Sequence, residues 1–183
     1  MPRLLALAAL SLVLSACAGP ASAPVAPVGE PLRIEPPPSG ALTDAQLARV
    51  RADVGRLLAA PLAPDAADAQ RALIGWLAGS PDVSVTLCAD TIGPLLGRRS
   101  TPDGEPGYTI LYTLASAAAV LDAPALADDP AGVAAVAAGL LADSYATARA
   151  QGAPAVAFLD GLVNEKADGT LDARVRRDAA DCG

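Results

Sequence analysis

The chain contains no histidine. That removes Ser-His and Cys-His activation of a nucleophile and the commonest zinc ligand. Lysine occurs once, as Lys166, against twelve arginines. A Ser-Lys dyad would have to use that one amine, yet no serine stands three residues before it, and Asn164-Glu165-Lys166 reads as a solvated helix end. Aromatic residues make up 3% of the chain, too few for the stacking surface expected of a glycosidase. Positive charge is scarce as well. The formal net charge of −7 leaves no basic footprint for nucleic acid. No G-x-S-x-G elbow, phosphate loop or dinucleotide fingerprint is present.

What the chain does have is alanine, about a quarter of all residues, which lets helix backbones pack closely, and a distinctive amino terminus. Arg3 precedes an apolar run from Leu4 to Leu14. This is about half of the roughly 20 residues that a membrane-crossing helix needs, and it fits the apolar region of a signal peptide. Leu14-Ser15-Ala16-Cys17 then resembles the lipobox of bacterial lipoproteins. That resemblance implies cleavage between Ala16 and Cys17, a diacylglyceryl group on the Cys17 thiol and an acylated new amino terminus. An ordinary secretory signal ending beside a chance cysteine is the competing reading, since Ser15 and Ala16 suit both peptidases. Ala18 is not aspartate, so the inner-membrane retention signal of enteric bacteria is absent. In a Gram-negative cell this favours the outer membrane, facing the periplasm, over the inner membrane, the sequence leaving both open.

Three cysteines are an odd number for an oxidising compartment. Lipid on Cys17 would leave Cys88 and Cys182 to form a disulfide, closing a loop of about 94 residues worth at most roughly 4.6 kcal/mol in the chain-entropy treatment. Two buried free thiols are the alternative. Between the anchor and the domain, Pro20, Pro24, Pro27, Pro31 and Pro36 to Pro38 forbid helix and central strand. Residues 17–40 therefore read as a lipidated cysteine and a disordered Pro/Ala-rich tether. Residues 1–16 are the signal and residues 41–183 a single folded domain.

Helical spacing recurs along that domain and predicts an all-α, compact bundle of about six or seven helices. Thr43-Asp44-Ala45-Gln46 is a capping box, and Leu47, Val50, Val54, Leu57 and Leu58 follow on one face until Pro61. Asp65 is expected to cap a second helix through Ala69, Leu73, Trp76 and Leu77, ending at Gly79. Ser80-Pro81-Asp82 looks like another helix start. Val83, Val85 and Leu87 alternate with Ser84 and Thr86 as in a half-buried strand, but no partner strand is evident, so helix is the expectation for this stretch. Tyr108 to Leu121 carries no charge and reads as a buried helix, with Thr109, Thr113 and Ser116 bonding back to carbonyls. Asp129-Pro130 starts a helix that runs to Gly152, in which Ala131, Ala135 and Gly139 form a small-residue row. Pro154 opens another, and Thr170 is expected to cap the last.

No constellation reaches the level of a catalytic signature. Residues 164–175 place Asp168 and Gly169 where a calcium loop would want them, but Lys166 and Val175 stand where oxygen ligands are required. A plain Asp-Gly turn is the simpler reading, and no metal or cofactor is expected. Asp90-Thr91-Ile92-Gly93 interrupts the aspartic-protease triplet, and Asp128 with Asp129 reads as helix capping. The loop that joins Arg98 and Arg99 to Tyr108 is the candidate partner-binding element. Small helical lipoproteins of the pilotin kind are similar in general plan. The function expected is a non-enzymatic envelope lipoprotein that binds an unknown envelope protein, as an assembly or stability factor. The alternative is an envelope hydrolase working with a carboxylate pair.

Overall fold

The computed structural model describes residues 42–81, 83–96 and 106–182. The signal, Cys17 and the tether fall outside them. Among the described residues the fold is all-α, with seven helices: α1 Asp44–Ala59, α2 Ala66–Gly79, α3 Ala89–Ile92, α4 Tyr108–Asp122, α5 Pro130–Ala150, α6 Ala157–Ala167 and α7 Leu171–Asp178. Two short 3₁₀ turns, Gly93–Leu95 and Pro124–Asp128, follow α3 and α4.

The pairing of α4 with α5 organises the bundle. Both helices are rich in alanine, and Ala115, Ala137 and Ala148 are completely buried, with Ala134, Ala138 and Ala142 at most 2% exposed. A face of Cβ methyls lets two backbones approach closely, as small residues do at tight helix crossings. Leu111, Leu141 and Leu159 fill the space around this seam with no exposed surface, each burial contributing roughly 1.5–3 kcal/mol. Helices α1 and α2 cover α4 on one side, and α6 and α7 cover α5 on the other. By length and composition α5 is apolar enough to cross a membrane, but 61% of its most apolar window is buried by the rest of the domain. It is the core helix of the bundle.

Local signals explain where the helices begin and end. The Thr43 main-chain N–H donates to Gln46 Oε1 at 2.9 Å, and the Gln46 N–H donates to the Thr43 hydroxyl at 3.3 Å. This is the reciprocal capping box expected of α1. Asp129 caps α5, accepting from the Gly132 N–H at 2.8 Å. Both α5 and α6 close with a glycine of positive φ, Gly152 at 100° and Gly169 at 72°. In each case the next residue reaches back five positions, Ala153 to the Ala148 carbonyl and Thr170 to the Glu165 carbonyl, both at 2.9 Å. These are Schellman closures, which a Cβ would strain. Residues 168–169 are thus an Asp-Gly turn.

Several expectations are corrected. Asp65 precedes α2 but does not cap it with its side chain; its carboxylate accepts from Arg56 at 3.1 Å instead. The Thr170 hydroxyl donates back to the Glu165 carbonyl rather than capping α7. Thr113 and Ser116 do bond back to the carbonyls four residues earlier, whereas Thr109 crosses to the Leu95 carbonyl at 2.8 Å. No helix forms from Ser80 onward: residues 83–88 are irregular, and the short α3 starts only at Ala89. Pro154 does not open α6, which starts at Ala157, and the Val156 N–H just before it is taken by a side chain.

That side chain is Tyr145. Its hydroxyl accepts from the Val156 N–H at 2.9 Å and donates to Asp160 Oδ1 at 2.6 Å, tying α5 to the entry of α6. Burial, together with the Asp160 carboxylate, pushes the phenol above its usual range. Its ring meets the Tyr108 ring edge-on, with centroids 5.6 Å apart, an arrangement favoured by aromatic quadrupoles. Cys88 and Cys182 are disulfide-bonded, with Cα atoms 5.6 Å apart, which links the start of α3 to the segment after α7. Tyr145→Phe should cost about 1–3 kcal/mol in chemical denaturation, because it leaves the buried Val156 N–H without an acceptor. An unchanged denaturation midpoint would remove Tyr145 from this role.

Candidate functional site

The residues proposed as a partner loop separate on inspection. Arg98 and Arg99 lie outside the described residues. Tyr108 is only 2% exposed, and the preceding Pro106 and Gly107 are buried too. Tyr108 is therefore part of the core, which corrects its assignment to a binding surface. As the first residue of an almost wholly buried helix, its ring has Tyr145 to pack against.

A concave surface forms instead where Pro81, Ser84 and Thr86 lie by the end of α4 and the start of α5. It is a cleft of about 220 Å³. Pro81, Ser84 and Thr86 form one wall, while Val120 of α4, Ala127 of the second 3₁₀ turn, and Pro130 and Val133 of α5 form the other. Among the described residues its lining carries apolar and hydroxyl groups and no charge. Leu87, next to Thr86, and Val136, one turn beyond Val133, are each 40% exposed. The sequence did carry a signal for this region, the alternation of Val83, Val85 and Leu87 with Ser84 and Thr86, but it was assigned to a helix.

Asp129 holds the α5 side of this region in place. Its carboxylate accepts from the Gly132 N–H and pairs with Arg176 at 3.2 Å. The Gly132 N–H, and then Arg176, hold Asp129 below the usual carboxylate range. A Cβ at Gly132 would run into the Asp129 carboxylate where it now stands, so a larger residue here would push that side chain aside. Arg176 also pairs with Asp172 at 3.0 Å. Arg174 similarly joins Glu165 at 2.6 Å and Asp178 at 2.8 Å. Arg174 and Arg176 thus each hold two carboxylates.

A second hollow of about 220 Å³ lies over the small-residue row of α5, between Ala135 and Gly139 on one side and Gly169, Leu171 and Asp172 on the other. At its edge the Lys166 ammonium donates to the Gly139 carbonyl at 2.9 Å and to Asp143 at 2.5 Å. The one lysine of the chain therefore fastens α6 to α5. Among the described residues, no three of His, Cys, Asp and Glu are grouped so as to hold a metal ion. No protein-family model, curated protein or solved structure matches this chain.

Because the folded-state pKa of Asp129 is lowered, its stabilising effect is complete above the ordinary carboxylate range near pH 4 and is lost as pH falls through the lowered value. Asp129→Asn keeps a competent cap but not the charge. Its melting temperature should lie below that of the wild type at neutral pH, with the gap closing in acid. A gap independent of pH would contradict the Asp129–Arg176 contribution.

Proposed function

We propose that this protein is a lipid-anchored envelope factor whose helical domain binds another protein, supporting its assembly or stability without catalysing a reaction. The observation that carries this reading is the cleft at Pro81, Ser84 and Thr86 with its exposed neighbours Leu87 and Val136. Apolar and hydroxyl walls beside an irregular exposed segment suit recognition of a polypeptide. The lipobox resemblance supplies the anchor at Cys17 and the proline-rich residues 17–40 the tether, so the domain would be presented at a membrane surface, facing the periplasm.

The carboxylate chemistry offers less support to a hydrolase. A general acid working near neutral pH needs a raised pKa; the Gly132 N–H and Arg176 hold Asp129 low, and Asp53, which burial raises, has the charges of Arg49 and Arg56 acting to lower it. The disulfide between Cys88 and Cys182 agrees with an exported domain, since such bridges persist in oxidising compartments.

Affinity recovery of the lipidated protein from solubilised membranes, read by mass spectrometry, tests this function. One envelope protein should be recovered at fixed stoichiometry, and the amino-terminal peptide should carry diacylglyceryl on Cys17. Cys17→Ser should leave the protein in the soluble fraction. Recovery of the bait alone would overturn the binding role, and an unmodified Cys17 would overturn the anchor.

A further inference from the structure

Residues 83–87 join α2 to α3 without belonging to either. Among the described residues, no main-chain N–H or C=O from Val83 to Leu87 forms a hydrogen bond. Backbone polar groups in a fold are almost always satisfied by main chain, side chain or water. Here five consecutive residues receive no partner from the described residues, although Val83 is only 6% exposed.

From Val83 to Thr86 the side chains alternate as those of a half-buried strand do, and the alternation stops at Leu87, which is exposed. Val83 is buried and Val85 half-buried, while Ser84 and Thr86 are exposed. Three of the five residues are β-branched valine or threonine at 83, 85 and 86, which favours a pleated, extended backbone. The segment ends at Cys88, whose own backbone is extended at φ −82°, ψ 110° and whose bridge to Cys182 fixes that end. An anchored segment with an unpaired row of donors and acceptors has what a sheet edge offers to an added strand. The cleft against Val120 and Val133 lies alongside it.

We infer that residues 83–87 dock an extended, uncharged segment of a partner protein by main-chain pairing, with one apolar side chain of that segment seated against Val120 and Val133. The inference rests on the protein-binding reading above and names its site and its chemistry. A second copy of this chain, pairing edge to edge, is the rival occupant. Stable protein interfaces draw about 20–30 residues from each side and bury about 800 Å² per partner. Five edge residues with the few that line the cleft reach roughly half that number, whereas a peptide strand needs no more.

The test uses the mature chain in detergent micelles, isotope-labelled for NMR. The probe is a pool of acetylated, amidated eight-residue synthetic peptides with alternating apolar and polar residues, together with copies N-methylated at alternate positions. Peptides from the pool should shift the amides of residues 83–87 and the methyls of Val120 and Val133. The N-methylated copies, which lack the donors for pairing, should bind about tenfold more weakly or worse. Ser84→Pro and Thr86→Pro each remove an N–H that has no partner in the free protein. Both should keep the wild-type melting temperature, and at least one should lose peptide binding. The inference is overturned if no peptide shifts residues 83–87, if N-methylation has no effect, or if both proline variants bind as the wild type does. Shifts that grow with protein concentration in the absence of peptide would assign the edge to a second copy. A membrane partner that is still recovered by both proline variants overturns the docking edge but leaves the protein-binding function standing. Failure to recover any partner overturns that function itself.

Discussion

The close approach of α4 and α5 is the constraint on which the rest of the domain depends. With aromatics at 3% of the chain, the core is not built around large rings. It is built around the paired α4 and α5, whose Ala115, Ala134, Ala137, Ala138 and Ala142 are all at most 2% exposed. Such a seam has little freedom to rearrange, because protein interiors are packed to crystal-like density and an alanine has no rotamer to change. The three large polar aromatics take up the remaining volume. Tyr108 and Tyr145 meet edge-on, and burial pushes the Tyr112 phenol to about 12.

Outside this seam the helices are fastened individually. Arg51 reaches the Leu121 carbonyl and pairs with Asp122 at 3.2 Å, tying α1 to the end of α4. Lys166 ties α6 to α5, Arg174 joins α6 to α7, and Arg176 joins α7 to the start of α5. The exposed ion pairs among these contribute little individually, and with the partly buried Arg174–Glu165 pair they orient the outer helices on the core. The disulfide acts differently. It couples Cys88, at the end of the one long irregular stretch among the described residues, to Cys182 beyond α7. The candidate site therefore sits where regular structure stops but the chain is still covalently held.

Legibility in the sequence followed the locality of the signal. The capping box at Thr43 and Gln46, the Asp129-Pro130 start of α5 and the glycine that closes it depend on neighbours within a few residues, and each is found as expected. The all-α class and the pairing of Cys88 with Cys182 were likewise readable. Asp65 and Thr170 were misread because their side chains have better partners elsewhere, Arg56 and the Glu165 carbonyl. Tyr108 belongs to two readings, the first residue of an uncharged buried helix and the end of a long candidate binding loop, and its burial decides for the helix. Residues 83–87 held both halves of the answer. Their alternation indicated half-burial and the want of a partner strand indicated no sheet, yet together these suggested a helix in place of an unpaired segment.

A rigid, alanine-rich seam with a tethered irregular edge is a simple plan for a binding domain: the seam holds its shape while the edge remains available to a partner. The most direct test of the seam is Ala137→Leu, at a position with no exposed surface, compared with Ala146→Leu on the exposed face of the same helix. Chemical denaturation should show a loss of about 1–3 kcal/mol for the first, from overpacking, and a change within about 0.5 kcal/mol for the second. Equal stability of the two variants would contradict the account.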